Sequence, residues 1–327
     1  MTVRTVLVTG GTGFVGGRVL KRLSNDGSHS VRAATRSRGL ALPEGVSTVS
    51  IESIGPETDW KPALESVSAV IHCAARAHVM QETSSDPLAE YRHVNVEGTL
   101  GLARQAAEAG VQRFVFLSSI KVNGEETADD EIFRADDVPA PEDPYGVSKR
   151  EAEDGLMALG RQTGMEIVII RPPLVYGPGV KGNFASILRW VEKGVPLPLG
   201  AICNNRRSLV ALDNLVDLIV TCIDHPAARN QVFLAGDGED VSTTALLNRL
   251  AHAMNRRARL LSVAPNLLQV TARLVGKQEM MRRLCGSLRV DISKAREILG
   301  WTPPLSLDEG LRQAARALHA RERPSRS

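Results

Sequence analysis

The sequence predicts a doubly wound α/β fold: a parallel sheet with helices on both faces, followed by a smaller, mostly C-terminal α/β domain. Three observations lead there. The apolar run Val6-Leu7-Val8 flows into a glycine-rich turn and then an amphipathic helix. Comparable apolar runs recur at 69–73, 113–118 and 166–171, with helical stretches between them. Pro172-Pro173 and Gly177-Pro178-Gly179 then break the pattern. Strands that are apolar without alternation are buried on both faces, as in parallel sheets.

The turn after the first strand holds Gly10, Gly13 and Gly16 in the spacing G-x-x-G-x-x-G. Phe14, Val15, Val19, Leu20 and Leu23 continue as a helix that packs on a sheet. Strand, glycine turn and helix form a pyrophosphate-binding device, because the helix start offers free N–H groups and a positive dipole end. Gly10, Thr12, Gly13, Phe14, Val15 and Gly16 are therefore the expected contacts of a dinucleotide.

The chain has 327 residues, 43% hydrophobic and 24% charged, an ordinary soluble composition. Forty basic against 37 acidic residues, a net charge of +3, gives no argument for nucleic acid. The first strand begins by Val3, so no signal peptide is expected before it. No apolar run approaches the ~20 residues of a membrane span. Cys73, Cys203, Cys222 and Cys285 are scattered without a C-x-x-C, which fits a reduced, cytoplasmic protein.

Residues 29–35 read as the second strand. At its end, where a carboxylate often binds ribose hydroxyls, stands Thr35, followed by Arg36 and Arg38. Arginine suits a 2′-phosphate, so NADP is the expected cofactor and NAD the alternative. Residues 46–51 form strand three, 60–67 a short helix and 69–73 strand four. Ala74 and Ala75 follow, small enough for the backbone to lie against the cofactor. His72, Cys73 and His78 do not make a metal site, since neighbours on a strand point to opposite faces and no further ligands cluster there. Arg76 and His78 leave the sheet's carboxyl edge, as substrate contacts or as a solvated loop.

A long helix spans 86–109, capped by Asp86 with Pro87 at its first position; it carries Asn95 and stops at Gly110. Strand 113–118 ends in Ser118-Ser119. Residues 123–144 read as a long acidic, proline-rich loop, a length that is usually functional. Pro144 opens the next helix, and Tyr145 and Lys149, four apart, share one face of it. After strand 166–171 the chain changes organisation. Residues 1–171 are expected as the dinucleotide-binding domain and 172–327 as the substrate domain. Segments near 207–235 rejoin the first.

Together these residues resemble the extended short-chain dehydrogenase/reductase family of nucleotide-sugar epimerases, dehydratases and reductases. The matching runs are TGGTGFVG, HCAA, NVEGT, FLSS, YGVSK and RPPLVYGPG, which cover most of 3–179. The later SLVALDNLVDLI and SKAREILGWTPPLSLDEGL look like that family's substrate half. The resemblance implies a Rossmann sheet, Ser119, Tyr145 and Lys149 as the catalytic set, and Asn95 in support. It also implies a homodimer through the helices at 86–109 and 145–161, with Leu156 and Met157 as candidate contacts. A phenol of pKa ~10 needs its anion stabilised by about 4 kcal/mol to act as a base near neutrality. One ammonium at ~4 Å can supply about that at an effective dielectric of ~20, so Lys149, together with a positive oxidised nicotinamide, is expected to lower Tyr145.

Departures from the pattern narrow the reaction. Where the 4,6-dehydratases carry Asp-Glu, this chain has Ile120-Lys121, which disfavours water elimination. The run SSIKVNGE resembles bacterial reductases of 4-keto-6-deoxy-N-acetylhexosamine nucleotides in O-antigen precursor synthesis. The expected function is therefore an NADPH-dependent reductase acting at carbon 4 of a UDP-linked sugar. A nucleotide-sugar 4-epimerase using NAD is the alternative, and a non-catalytic NADP-sensing regulator the third reading. His78, Lys121, Asn183 and Arg207 are the candidate substrate contacts, the last two for the nucleotide diphosphate.

Overall fold

The structure is a computed structural model that describes residues 4–36, 42–77, 86–128, 130–274, 276 and 278–322. His78 and Arg38 lie outside the described residues. The first half alternates β1 (Thr5–Thr9), α1 (Phe14–Asp26), β2 (Ser30–Thr35), β3 (Val46–Ser50), α2 (Lys61–Leu64) and β4 (Val67–His72). It continues through α3 (Pro87–Arg92), a π-helical turn (His93–Gly98), α4 (Thr99–Glu108), β5 (Arg113–Leu117), α5 (Pro144–Thr163) and β6 (Glu166–Arg171). The second half holds β7 (Leu174–Tyr176), α6 (Gly182–Glu192), β8 (Arg207–Ala211), α7 (Leu212–Asp224), β9 (Gln231–Leu234) and β10 (Asp240–Val241). It ends in α8 (Thr243–Ala253), α9 (Pro265–Leu274), α10 (Gln278–Cys285), α11 (Ser293–Leu299) and α12 (Leu307–Glu322).

A seven-stranded, all-parallel sheet runs β3-β2-β1-β4-β5-β6-β9. The order reverses between β1 and β4, and ligands of such sheets bind outside the carboxyl ends at that point. The apolar run explains β1 directly. Val6 and Val8 pack with Val19, Leu20 and Leu23 of α1, while Leu7 faces Val70, Phe114 and Leu102 on the other side. The expected helix over 86–109 forms, with a π-helical turn inserted at Asn95. Such single turns are rare and recur at functional sites.

The second half connects back to the first. β9 joins β6 in parallel and α7 packs against α1 in the first core. β8 does not enter the large sheet. It pairs with β7 and β10 in a separate three-stranded sheet, because β7 places an open edge beside it immediately after the proline break. Val290, Ala295 and Trp301, far beyond 235, also pack into the core under the large sheet. The segment 123–144 is less free than a loop reading implies. Thr127 bridges Ser287 and Phe133 bridges Val290, so it forms a wall between the halves. Of the two residues named for a dimer contact, Leu156 is fully buried within the protomer and Met157 packs against the same core.

Candidate active site

The glycine turn sits where β1 and β4 part. Gly10 has φ +70°, and a Cβ there would lie 2.7 Å from the Ala74 backbone nitrogen. A Cβ on Gly16 would stand 2.3 Å from the Gly10 carbonyl oxygen. Both glycines are thus fixed by how tightly the turn, α1 and the end of β4 approach one another. Gly13 caps α1 without a side-chain hydrogen bond, and the first turn contains no acidic residue. Thr12 and Gly13 are exposed, and Phe14 and Val15 half-buried. An uncapped, uncontested helix start beside exposed backbone is the form that a dinucleotide pyrophosphate fits. Ala74 and Ala75 line the same edge, half-buried. Thr35 ends β2 and is buried, and Arg36 follows it exposed.

The Tyr-x-x-x-Lys pair forms because α5 starts cleanly. Asp143 accepts from Gly146 N–H at 2.6 Å as its cap, and Pro144 takes the first position. Ser119, at the end of β5, hydrogen-bonds the Tyr145 phenol. Lys149 is buried. Its ammonium donates to the Leu117 carbonyl at 2.8 Å and lies 4.2 Å from the Phe116 ring centroid. Its charge acts to lower His72 and Cys73 at the end of β4, so Lys149 lies at the carboxyl edge of the sheet. The structure brings Ser119 to Tyr145, and Lys149 to the end of β5.

Their electrostatics differ from the expectation. Burial, then the Asp143 carboxylate and Tyr91, push the phenol of Tyr145 above its ordinary value, with only the Ser119 hydrogen bond opposing. Burial pulls Lys149 down to about 8, against Glu153, which raises it. The chain's own groups hold Tyr145 as a proton donor, because burying a phenolate is costly and the Asp143 carboxylate adds to that cost.

Asn95, 1% exposed, has its amide engaged by the chain. Its Oδ1 accepts from Arg76 N–H at 2.8 Å, and its Nδ2 donates to the Arg76 carbonyl at 3.1 Å and to Ser148 Oγ at 3.0 Å. It fixes the segment after β4 against α5. His72 is held neutral by burial, down to about 3, with its ring nitrogens on Thr9 and Thr99 hydroxyls at 2.7 and 3.0 Å. Lys121 pairs with Glu125 and Asp143, both at 2.5 Å, so it braces the start of α5. Asn183 stands exposed in the first turn of α6. Arg207 is half-buried, donates to the Gly286 carbonyl at 3.0 Å, and is lowered by burial and then by Arg283.

Sequence reasoning missed the network beneath Lys149. Glu153 and Arg171 form an ion pair with side chains 2% and 3% exposed. Ser118 donates to Glu153 at 2.5 Å, and Arg171 donates to Asn123 at 3.0 Å. One signal was available: Glu153 lies four residues after Lys149, on the same helical face.

A model described as the NAD dependent epimerase/dehydratase family matches residues 6–236. A Vibrio cholerae protein named UDP-glucose 4-epimerase is 49% identical over 96% of this chain and 95% of its own. An Escherichia coli O157:H7 protein named N-acetyl-alpha-D-glucosaminyl-diphospho-ditrans,octacis-undecaprenol 4-epimerase is 24% identical over 94% of this chain and 92% of its own. Among solved structures, MoeE5 in complex with UDP-glucuronic acid and NAD superimposes with a TM-score of 0.77 at 26% identity, over 97% of this chain and 99% of that one. The matched span holds the glycine turn, Ser119, Tyr145 and Lys149, and the chain belongs to the NAD-dependent epimerase/dehydratase family of extended short-chain dehydrogenase/reductase enzymes.

Proposed function

We propose that the protein is a nucleotide-sugar 4-epimerase that inverts carbon 4 of a UDP-hexose or UDP-N-acetylhexosamine with NAD as its resident cofactor. The observation that carries this reading is the half-buried Ser119 and Tyr145 with the buried Lys149 at the carboxyl edge beside the glycine turn. The near full-length likeness to a protein named UDP-glucose 4-epimerase supports a reaction at carbon 4. Gly10, Thr12, Gly13, Phe14, Val15, Gly16, Ala74 and Ala75 hold the dinucleotide in this reading, with Asn95 positioning the segment after β4. When bound, NAD supplies the hydride acceptor and donor and a positive charge near the phenol. Tyr145 carries the proton of the carbon-4 hydroxyl, taking it in one direction and returning it in the other. Ser119 holds the same oxygen in line, and Lys149 keeps a positive charge under the phenol. Arg207 and Asn183 hold the nucleotide diphosphate, and a homodimer belongs to the same reading.

A second reading, an NADPH-dependent reductase of a UDP-linked 4-keto-6-deoxy-N-acetylhexosamine, is favoured by one observation. β2 ends in Thr35 and an exposed Arg36 rather than a carboxylate. One charge-assisted phosphate contact is worth about 1.5–3 kcal/mol, roughly ten- to hundredfold in affinity. The experiment is to purify the protein, identify the cofactor it retains, and incubate it with UDP-hexoses and UDP-N-acetylhexosamines. Retained NAD and interconversion of 4-epimers without net cofactor use support the epimerase. A cofactor-free protein that oxidises NADPH with a 4-keto sugar, its preference weakened in Arg36→Ala, replaces that reading with the reductase.

A further inference from the structure

Two segments of the substrate half meet edge to edge. Leu197 N–H donates to the Arg259 carbonyl and Leu261 N–H to the Leu197 carbonyl, both at 2.8 Å. Arg259 Nη1 also reaches the Gly194 carbonyl at 3.4 Å. These segments, 180–202 and 251–274, contain seven Lys or Arg residues and one acidic residue, Glu192. Glu192 is buried and turned to His319, with Oε1 3.0 Å from Nε2. The arginines at 256, 257 and 259 are exposed, as are Arg189 and Lys193.

The same segments hold most of the large apolar side chains left in solvent. Trp190, Val195, Leu261, Leu267 and Val270 are 38–57% exposed, and only Val138 and Leu174 join them among the described residues. On α9, Leu267 and Val270 share an outer face while Leu268 anchors the helix inward at 6% exposure. Scattered exposed apolar residues need no explanation, but apolar residues on hydrogen-bonded neighbouring segments, fringed by cations of one sign, mark an interaction surface. Tryptophan with arginine and lysine is the composition of a bilayer interface. A second copy seated there would bring two such cationic faces together. Among the described residues no helix is long and apolar enough to cross a membrane, so contact is with the surface only.

We propose that this face docks on an anionic phospholipid bilayer, with Trp190, Leu261, Leu267 and Val270 entering the acyl boundary and the arginines meeting the headgroups. The docking stands independently of which carbon-4 reaction the cleft performs. The test is sedimentation of the full chain with phosphatidylcholine vesicles, with and without phosphatidylglycerol. Binding is expected only with phosphatidylglycerol and is lost at high salt. R256Q/R257Q/R259Q should weaken it by roughly hundredfold, at about one kcal/mol per cation near the surface. L267E/V270E should abolish it while turnover of soluble nucleotide sugar is unchanged. Trp60 and Trp301 are 0% and 5% exposed, so a blue shift of tryptophan emission on vesicle binding should vanish in Trp190→Phe. No sedimentation, equal binding to neutral vesicles, or vesicle binding unaffected by L267E/V270E overturns the proposal. So does self-association that L267E/V270E dissolves, which would make the occupant a second copy.

Discussion

Within the glycine turn the closest contacts join near neighbours in sequence, with the end of β4 pressing on Gly10 from outside: Gly13 N–H donates to the Gly10 carbonyl at 2.8 Å, and Gly16 presses on that same carbonyl. Around Arg207 they join distant ones. Arg207 reaches Gly286, while Asn205 donates to Thr243 Oγ1 at 3.0 Å and to the carbonyls of Leu284 and Gly286. The glycine turn is therefore built on one continuous sheet, and the surroundings of Arg207 are built from separate segments. The difference teaches where chemistry and where specificity reside. In the proposed reading, hydride and proton positions rest on β1, β4 and α5, whereas the nucleotide-sugar contacts depend on how α10 and its flanks are held.

The largest expected effect is on chemistry alone. Tyr145→Phe should lower kcat by ~10²–10⁴-fold, the usual contribution of a positioned acid–base group, with melting temperature and NAD affinity unchanged. Activity near wild type would detach Tyr145 from the reaction. Next comes the buried pair beneath it. Glu153→Gln strands the Arg171 guanidinium and should cost about 3–5 kcal/mol by denaturant unfolding, most of it recovered in Glu153→Gln/Arg171→Met. A loss confined to exposed-pair values, below about 1 kcal/mol, would show that the pair is solvated.

Two glycines sharpen the contrast within the turn. Gly16→Ala forces a 2.3 Å contact on the Gly10 carbonyl and should destabilise by about 1–3 kcal/mol. At Gly13 a Cβ meets that carbonyl at 3.1 Å with exposed space beyond, so Gly13→Val should lose cofactor binding and keep its melting temperature. The smallest effect is a pH limb. Lys149 loses its proton, and with it the charge that the proposed reading sets under Tyr145, as pH rises through about 8. Accordingly kcat/KM of the wild type should fall on the alkaline side near that value. Whatever rate remains in Lys149→Arg should lack the limb, since guanidinium keeps its proton.

This contrast also explains what was legible in the sequence. Val6-Leu7-Val8, the glycine spacing and Tyr145–Lys149 are local patterns with one backbone solution each, and the structure forms them as expected. The π-helical turn at Asn95 carries no periodic signal, so it reads as plain helix. β8 reads correctly as a strand, but its partner depends on which edge β7 leaves open, a tertiary property. Burial and the Asp143 cap raise the phenol of Tyr145, and neither shows in its spacing from Lys149. Lys121 showed its charge but not Glu125 and Asp143, which occupy it.

The most direct test of carbon-4 inversion follows the hydrogen itself. A UDP-hexose deuterated at carbon 4 is incubated with the purified protein, and both epimers are analysed by mass spectrometry and NMR. Inversion by Ser119, Tyr145 and Lys149 around a resident NAD predicts deuterium kept at carbon 4 of the epimer, with no NADPH consumed. Absence of the 4-epimer, with carbon-4 deuterium delivered instead from labelled NADPH to a 4-keto substrate, would contradict it.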